Sequence, residues 1–264
     1  MSGIPRVGDV MTTSVVTLRE EEPATRARAL FREYGYRSFP VVDEDGRLVG
    51  IITRGDILRI SSSRSNLLVR GLMSTGVATA LPGESIIDAA RKMIRLDVER
   101  LPVVASETDS TLVGIISAHD VIEALLESGR EPIKKTVEEI MTAQVVTCSH
   151  DDPVTKVWTK MQETGFSGIP VLKNGEIIGM VTRKDIIDSG FARITREDEK
   201  GRVRNPPPVE RVMTTPPITV HRTTPVQEAA RILTGKQIGR LPVVEDRKVV
   251  GIIDRDDVMA AWLP

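Results

Sequence analysis

The feature that most constrains the fold of this chain is an internal repeat. Three short landmarks recur in the same order four times, and the prolines of the second are 62, 68 and 72 residues apart, so four units fill the 264 residues. Self-similarity at such a period means that each repeat is one supersecondary unit that buries a face against a neighbour. The first landmark, an apolar residue before Met, occurs at Val10-Met11, Leu72-Met73, Ile140-Met141 and Val212-Met213. The second, an apolar residue before Pro-Val, occurs at Phe39-Pro40-Val41, Leu101-Pro102-Val103, Ile169-Pro170-Val171 and Leu241-Pro242-Val243. The third, Gly before two apolar residues, occurs at Gly50-Ile51-Ile52, Gly114-Ile115-Ile116, Gly179-Met180-Val181 and Gly251-Ile252-Ile253.

A strand and a helix are predicted between the first two landmarks. Short β-branched segments favour a strand, and they occur at Val15–Thr17, Gln144–Thr147 and Ile218–Val220. An amphipathic helix is predicted over Ala24–Tyr34, because its apolar residues fall at i, i+3, i+4 and i+7 and so form one stripe. The residues of this stripe are Ala27, Leu30, Phe31 and Tyr34.

A hairpin and a closing helix complete each unit. In the first unit the segments Phe39–Val42 and Leu48–Thr53 flank a short polar turn, and in the third unit the turn contains Asn174-Gly175, a strong hairpin signal. A closing helix is predicted after the second hairpin strand, as over Asp120–Leu126. The element order is β-α-β-β-α, so the predicted fold class is α+β, a mixed αβ fold of four repeats.

The units are expected to pack in pairs. A domain of roughly 60 residues is marginally stable alone, and its three-stranded sheet has a second face to bury. Pairing of consecutive units gives two modules, 1–130 and 131–264. The predicted bounds of the four repeats are 1–66, 67–130, 131–205 and 206–264.

Composition excludes several classes of protein. Lys and Arg total 36 against 37 Asp and Glu, a net charge of −1, which excludes a globally basic nucleic-acid binder. Cys148 is the only cysteine, so neither an internal disulfide nor an all-Cys zinc site can form. The N-terminus has no signal-peptide pattern, and no apolar stretch approaches the ~18–20 residues of a membrane span. We therefore expect a soluble, cytoplasmic protein.

A basic segment between the third and fourth units has two interpretations. Residues 191–210 combine basic side chains with three consecutive prolines, a composition typical of an exposed and partly stiff connector. The alternative is a contact for nucleic acid or for an acidic partner. The basic residues are Arg193, Arg196, Lys200, Arg202 and Arg204, and the prolines are Pro206, Pro207 and Pro208.

The third strand of every unit ends in a [Thr/Ser/Asp]-x-x-Asp motif. The four copies are Thr53-Arg54-Gly55-Asp56, Ser117-Ala118-His119-Asp120, Thr182-Arg183-Lys184-Asp185 and Asp254-Arg255-Asp256-Asp257. With the three landmarks, this motif resembles the CBS (cystathionine-β-synthase-type) domain. Four copies cover essentially the whole chain, so it resembles two Bateman modules in tandem.

The resemblance implies a regulatory function. The chain is similar in architecture to the gamma subunit of AMP-activated protein kinase and to stand-alone archaeal and bacterial CBS proteins. Family members bind adenosyl ligands (AMP, ADP, ATP, in some cases S-adenosylmethionine or NAD) and regulate an attached or associated protein. Many also dimerise, so monomer and homodimer both stay open. The implied ligand is an adenine nucleotide, and the regulated partner is unidentified.

The residue types of the motif suit such a ligand. One carboxylate has enough lone pairs to accept from both ribose hydroxyls, and the family assigns the motif Asp to the ribose. A Thr or Ser hydroxyl can donate to phosphate beside the helix N-terminus, and arginines nearby can neutralise phosphate charge. The candidate binding residues are Thr53, Arg54, Asp56, Ser117, His119, Asp120, Thr182, Arg183, Asp185 and Asp257, together with Arg37, Arg100 and Arg240.

The same motif has a purely structural interpretation. Ser/Thr-x-x-Asp is also a capping-box pattern, in which both side chains satisfy backbone donors at a helix start. The fourth copy differs from the others, because Asp254 adds a negative charge where a phosphate donor is expected. We therefore expect the fourth site to be empty or to hold a less charged adenosyl ligand.

No pattern in the sequence predicts catalysis. A GxxxxGK[ST] phosphate loop, a GxSxG elbow and a His/Cys cluster with metal spacing are all missing from the sequence. The predicted function is therefore non-catalytic, nucleotide-dependent regulation of a partner, with no metal and no catalytic cofactor. The alternatives are a structural or interaction scaffold with empty clefts, and binding of S-adenosylmethionine, NAD or nucleic acid.

Overall fold

The computed structural model describes residues 4–58, 67–189 and 206–264. Five of the basic residues of the predicted connector, Arg193, Arg196, Lys200, Arg202 and Arg204, lie outside these ranges. Apart from the last two residues, the chain divides into two compact units, Met1–Glu131 and Pro132–Trp262. No helix within the described ranges is long and apolar enough to cross a membrane.

The first unit contains two repeats of similar element order. Its helices are α1 (Val7–Val10), α2 (Ala24–Tyr34), α3 (Arg54–Leu58), α4 (Ile86–Leu96) and α5 (Ala118–Glu127), with a 3-10 turn at Val69–Gly71. Its strands are β1 (Leu18–Arg19), β2 (Ser38–Val42), β3 (Leu48–Thr53), β4 (Arg100–Val104) and β5 (Leu112–Ser117).

The second unit has nearly the same elements. Its helices are α6 (Val154–Thr164), α7 (Arg183–Asp188), α8 (Val226–Gly235) and α9 (Arg255–Ala260), with 3-10 turns at Val137–Glu139 and Val209–Arg211. Its strands are β6 (Cys148–Ser149), β7 (Gly168–Lys173), β8 (Glu176–Thr182), β9 (Arg240–Glu245) and β10 (Lys248–Asp254).

The predicted hairpins are confirmed in all four repeats. The strand pairs β2–β3, β4–β5, β7–β8 and β9–β10 are antiparallel. The turn at Asn174-Gly175 has positive φ at both residues, 53° and 82°, as the Asn-Gly pattern predicts. The mixed αβ fold with four repeats is therefore confirmed.

In the first and third repeats the first strand lies later than predicted. β1 begins at Leu18 and β6 at Cys148, and each pairs in parallel with the next strand of its repeat. In the second and fourth repeats the pairing shrinks to the bridges Ala80–Val103 and Val220–Val243. The prediction of a strand over Val15–Thr17 is wrong because those residues are extended without a ladder partner. The β-propensity of a residue reflects how well its side chain fits a half-buried surface. The wall of a cleft is also such a surface, so β-branched residues occur there without forming a strand.

Repeats of one unit exchange backbone hydrogen bonds in a reciprocal way. The first residue of each N-terminal turn donates its N–H to the loop before the long helix of the other repeat. These bonds are Val7 N to Glu84 O (2.8 Å), Val69 N to Glu22 O (2.8 Å), Val137 N to Thr224 O (2.9 Å) and Val209 N to Asp152 O (2.9 Å). The residue after each Met also bridges to the third strand of the other repeat at Thr12–Ile115, Ser74–Ile51, Thr142–Ile252 and Thr214–Met180.

The first and third landmarks meet across each pair. A Cβ added to Gly114 would lie 2.5 Å from Met11 Sδ, and one added to Gly50 would lie 2.8 Å from Met73 Sδ. In the second unit the matching contacts are Gly179 to Met213 Sδ (2.6 Å) and Gly251 to Met141 Sδ (2.6 Å). Glycine is needed because the thioether of the other repeat fills the space of its missing side chain. These contacts and the exchanged bonds hold the two repeats of each pair together.

The cores are aliphatic, as the low aromatic content requires. In α2 the residues Ala27, Leu30 and Phe31 are buried, whereas Tyr34 is 41% exposed and so departs from the predicted stripe. Cys148 is buried in β6, where burial raises the pKa of its thiol to about 12.

Candidate functional site

The repeated motif forms a capping box at the start of each closing helix. In every copy the first residue donates its backbone N–H to Oδ2 of the aspartate three positions on. The distances are 2.8 Å for Thr53–Asp56, 2.8 Å for Ser117–Asp120, 2.8 Å for Thr182–Asp185 and 2.9 Å for Asp254–Asp257. The capping interpretation is therefore confirmed in all four repeats.

Capping leaves half of each carboxylate available. In the first three copies the hydroxyl also donates to Oδ2, at 2.6, 2.8 and 2.7 Å. Within the described parts of the chain, Oδ1 of Asp56, Asp120 and Asp185 receives no hydrogen bond. One oxygen thus closes the helix turn, while the other has two lone pairs to offer to a ligand. The hydroxyl proton, by contrast, already points at the carboxylate.

Asp120 lies in a cleft that both repeats of the first unit build. The cavity volume is about 160 Å³, and Ser117 and Arg100 of the second repeat line it together with Asp120. The first repeat supplies polar groups from Thr12, Ser14 and Ser38. The apolar wall consists of Val15, Val16, Tyr36, Phe39, Pro40 and Ile115.

Aromatic side chains are concentrated at this cleft. The whole chain contains 4 Phe, 2 Tyr and 2 Trp. Tyr36 contacts Phe39 with a centroid distance of 5.7 Å and Tyr34 with one of 5.5 Å, and Phe31 lies 4.7 Å from Phe39. Half of the aromatic residues therefore form one cluster, and Tyr36, which is 46% exposed, carries it to the cleft mouth.

Arg100 is the cation of this cleft. Its guanidinium donates no hydrogen bond to any described residue, although Glu99 and Asp120 are close enough to favour its charge. Burial, and then the neighbouring Arg37, lower the pKa of Arg100, which still stays protonated at neutral pH. A half-buried guanidinium with unused donors beside an aspartate is suited to bind an anionic group.

Three other predicted cations are engaged elsewhere. Arg37 forms an ion pair with Glu99, which joins the two repeats. Arg54 donates to Gly35 O at 2.9 Å, and Arg183 donates to Met161 O at 2.7 Å. Because these carbonyls lie at the ends of α2 and α6, both arginines complete helix C-termini instead of facing a phosphate.

His119 faces away from the cleft lining. Its Nε2 lies 3.3 Å from Glu123 Oε1, one turn further along α5. It is not among the residues that line the Asp120 cavity. The structure therefore gives His119 a partner on its own helix, and its contact with phosphate stays a prediction.

The fourth repeat replaces the hydroxyl of the motif by a carboxylate. Asp254 Oδ1 caps α9 by accepting from Asp256 N at 3.0 Å and from Asp257 N at 3.2 Å. Burial, with the neighbouring Asp254, raises the pKa of Asp257 to about 7. Three carboxylates, those of Asp254, Asp256 and Asp257, therefore lie at this helix start, where the second repeat has only Asp120.

The guanidinium of Arg240 is hydrogen-bonded to the third repeat. It donates from Nη1 to Gly168 O at 3.0 Å and from Nη2 to Ser167 Oγ at 2.7 Å. A Cβ at Gly168 would lie 3.1 Å from both Cδ and Nη1 of this arginine. Arg240 packs in this way because glycine leaves room for it, whereas Ser38 occupies the matching position of the first unit.

Several cleft residues escaped prediction from the sequence. Tyr36, Ser38, Thr12 and Ser14 lie between the landmarks, and they meet the motif only because the two repeats exchange segments. The recurring Met and Gly landmarks could have indicated this. If Met11 is taken to contact Gly114 of the other repeat, the residues after Met11 lie beside β5. A larger cavity of about 300 Å³ lies beside the hairpin turn of the second repeat and contains no motif residue.

Comparisons with known proteins agree with this geometry. A family model described as the CBS domain matches residues 7–63, 69–127, 137–191 and 209–263. The crystal structure of protein MJ1225 from Methanocaldococcus jannaschii, described as an archaeal homologue of γ-AMPK, is similar with a TM-score of 0.82 and 27% identity. That similarity covers 96% of this chain and 98% of MJ1225.

Two further relatives come from the same organism. The uncharacterized protein MJ1404 is 30% identical over 262 residues, which are 96% of this chain and 61% of that protein. An L-aspartate semialdehyde sulfurtransferase is 38% identical over 120 residues, which are 45% of this chain and 22% of the enzyme. With four family matches that together cover most of its length, this chain belongs to the CBS-domain family.

Proposed function

We propose that this chain is a non-catalytic regulatory protein that binds an adenine nucleotide in the Asp120 cleft. The observation that carries the proposal is the joint presence, in one cleft, of the uncapped Oδ1 of Asp120 and the unpartnered guanidinium of Arg100. A nucleotide has two neighbouring ribose hydroxyls to donate and a phosphate to accept. The Asp120 carboxylate can accept from the ribose hydroxyls, and the Arg100 guanidinium can donate to the phosphate.

The remaining lining suits the base. Val15, Val16 and Ile115 form an apolar wall, and the exposed ring of Tyr36 lies at the cleft mouth. Aromatic stacking on a base contributes roughly 1–3 kcal/mol. A hydrogen bond to a charged group contributes ~1.5–3 kcal/mol, so the Asp120–ribose contact alone accounts for a ten- to hundredfold gain in affinity.

Regulation follows from the way the cleft is built. The ligand touches Val15 and Tyr36 of one repeat and Arg100 and Asp120 of the other, so it stabilises one arrangement of the pair. A partner protein that recognises that arrangement would respond to the nucleotide concentration. At saturating AMP, hydrogen exchange is expected to slow in β5 and in 12–16, and unchanged exchange would contradict the switch while leaving binding intact.

The proposed function does not include catalysis. The motif residues are engaged in capping, and no three His, Cys, Asp or Glu side chains among the described residues are grouped to hold a metal ion. The sulfurtransferase relative shares 22% of its length with this chain, so its chemistry is not carried over. We assign the chain a regulatory function, read by a partner protein.

The scaffold alternative is supported by the capping boxes and must be separated by experiment. In Asp120→Asn the amide oxygen can still accept from Ser117, whereas the second position becomes an NH₂ donor that cannot accept from ribose. Calorimetry with AMP is expected to show a ten- to hundredfold weaker affinity than wild type, with an unfolding temperature within about 2 °C.

The matched control is Asp88→Asn. Ser85 and Asp88 form a related Ser-x-x-Asp cap on α4, with the hydroxyl 2.8 Å from Oδ2 and Oδ1 paired with Arg91, and they lie outside the cleft. This variant is expected to bind AMP as tightly as wild type. Equal AMP affinity of Asp120→Asn and Asp88→Asn would leave capping as the only role of Asp120.

A ligand panel identifies the preferred adenosyl compound. AMP, ADP, ATP, S-adenosylmethionine and NAD share the adenosine and differ in the charge at the 5′ position, which Arg100 meets. A ligand at a hundredfold excess over its Kd stabilises the protein by ~2.7 kcal/mol, which a thermal-shift assay resolves. We expect the phosphorylated ligands to give the larger shifts.

A further inference from the structure

The hairpins of the second and fourth repeats have different residues opposite the same arginine position. In β4–β5 of the first unit Arg100 stands directly opposite Ser117, and in β9–β10 of the second unit Arg240 stands directly opposite Asp254. Residues directly opposite in an antiparallel pair have side chains close enough to interact. The cation of the first unit therefore faces a neutral residue, and that of the second faces a carboxylate.

The two arginines also differ in their hydrogen bonds. Arg240 lies over Gly168 and bonds to its carbonyl and to Ser167 Oγ. In the first unit the corresponding positions are Ser38 and Arg37; Arg100 donates no hydrogen bond to either of these described residues, and Arg37 is a like charge beside it. Arg100 is thus left available to a ligand, and Arg240 is not.

We infer that the residue that begins the closing helix sets the charge of the ligand, so that the Asp120 cleft accepts an anionic nucleotide and the Asp257 position rejects it. The inference rests on the proposed nucleotide function and deepens it. Ser117 admits a phosphate beside Arg100, whereas Asp254 repels a phosphate and balances the charge of Arg240. Binding of AMP is therefore asymmetric between the two units.

Electrostatics gives the size of the effect. A carboxylate about 6–8 Å from a phosphate in a partly desolvated cleft, with an effective dielectric constant near 20–40, weakens binding by on the order of ten- to a hundredfold. Adenosine has the same base and ribose and no charge. A substitution that acts only through its charge changes the ratio of AMP affinity to adenosine affinity. A substitution that distorts the cleft weakens the binding of both ligands alike.

The first test places the carboxylate in the first unit. Ser117→Asp and its neutral isostere Ser117→Asn both retain an N-capping side chain. Calorimetry on the full chain is expected to show a ratio of AMP to adenosine affinity that is ten- to a hundredfold lower in Ser117→Asp than in Ser117→Asn. Equal ratios in the two variants would overturn the inference.

The second test removes the carboxylate from the second unit. The double variant Asp254→Ser/Gly168→Ser places the residues of the first unit at these two positions, and the nearest atoms to the new Cβ at position 168 belong to the flexible Arg240 side chain and to a methyl group. Equilibrium dialysis is expected to find one more AMP bound per chain than in wild type. An unchanged stoichiometry would contradict the role of Asp254.

The outcomes separate the inference from the proposed function. If wild type binds neither AMP nor adenosine, the proposed function fails and the inference fails with it. If wild type binds AMP, and Asp120→Ala and Asp257→Ala each remove one bound AMP, nucleotide binding stands and the asymmetry is wrong. The inference requires that Asp120→Ala removes one bound AMP and that Asp257→Ala removes none.

Discussion

The two units share a scaffold and differ in the electrostatics of one cleft. In both, the segment after Met bridges to the third strand of the other repeat, and Met packs on Gly across the pair. In the first unit an unpartnered Arg100 faces Ser117, whereas in the second a bonded Arg240 faces Asp254. The contacts that hold a pair of repeats together are therefore shared by the two units, whereas the charges beside the closing helices of the second and fourth repeats are not.

The difference also shows how one capping box can serve two purposes. A cap needs one acceptor at the first motif position and one at the fourth, and both Ser117 and Asp254 meet that need. Only the charge distinguishes them. A substitution between Ser and Asp therefore preserves an acceptor at the helix start, and under the proposed binding mode it changes the charge that a ligand meets.

The largest expected effect tests what the units share. Gly114→Ala places a Cβ 2.5 Å from Met11 Sδ and 3.0 Å from the backbone oxygen of Thr12, whereas the three atoms nearest to a Cβ at position 251 all belong to the Met141 side chain. Because a backbone oxygen yields less than a thioether, we expect losses of about 2–3 kcal/mol for Gly114→Ala and about 1 kcal/mol for Gly251→Ala in chemical unfolding.

Gly71→Ala serves as the control for this pair of variants. A Cβ at position 71 meets no atom within 4 Å, so its stability is expected to stay close to that of wild type. Equal losses of stability in Gly114→Ala and Gly251→Ala would show that the contact of the new Cβ with the Thr12 backbone oxygen adds no measurable destabilisation.

The second prediction compares the arginines. Arg100→Gln removes a cation without protein hydrogen bonds, so AMP affinity is expected to fall about ten- to a hundredfold while stability changes little. Arg240→Gln loses its bonds to Gly168 and Ser167, so stability is expected to fall by about 1–2 kcal/mol while AMP affinity is retained. Calorimetry and chemical unfolding on both variants measure the two effects.

The reverse pattern would contradict the comparison. Loss of AMP affinity in Arg240→Gln, with wild-type affinity in Arg100→Gln, would place the nucleotide in the second unit.

The smallest expected effect is a pH dependence confined to the second unit. The pKa of Asp257, raised to about 7 by burial and by Asp254, lies above its ordinary value of 3.8, so the folded state holds a proton that the unfolded state releases. The stabilisation is therefore fully present below about pH 4 and is lost as the pH rises through 7. After allowance for partial exposure, we expect a loss on the order of 1 kcal/mol between pH 5 and 7.

Unfolding midpoints of wild type and Asp257→Asn across this pH range measure that effect. The stability of Asp257→Asn is expected not to fall in this way as the pH rises. In Asp254→Ser the fall in stability is expected to occur at lower pH. Parallel pH profiles of wild type and Asp257→Asn would show that the proton is not held in the folded state.

Local patterns predicted much of the fold. The landmarks located the hairpins, since Asn174-Gly175 imposes its turn through its own backbone preferences. The capping box was readable because its bonds join residues three apart. The strand predicted at Val15–Thr17 was misplaced because an extended segment in a cleft wall and a paired strand select the same β-branched residues.

The candidate site was only partly readable. Asp120 and Arg100 were among the predicted residues, and the structure brings them together with Tyr36 and Ser38, which no motif marked. Arg54, Arg183 and Arg37 matched the pattern equally well but bond to carbonyls or to Glu99. The sequence could not distinguish them because a guanidinium is bound by whichever acceptor the fold brings within reach.

The amino-acid sequence by itself determined the four repeats, the order of their elements and the helix caps, because each depends on spacings within one repeat. The tertiary structure alone decided which arginine is left without a protein hydrogen bond, because that depends on groups distant along the chain, such as Ser167, which lies 73 residues from Arg240. Hydrogen bonds form between neighbours in space, and several neighbours of Asp120, such as Tyr36 and Ser38, come from the other repeat.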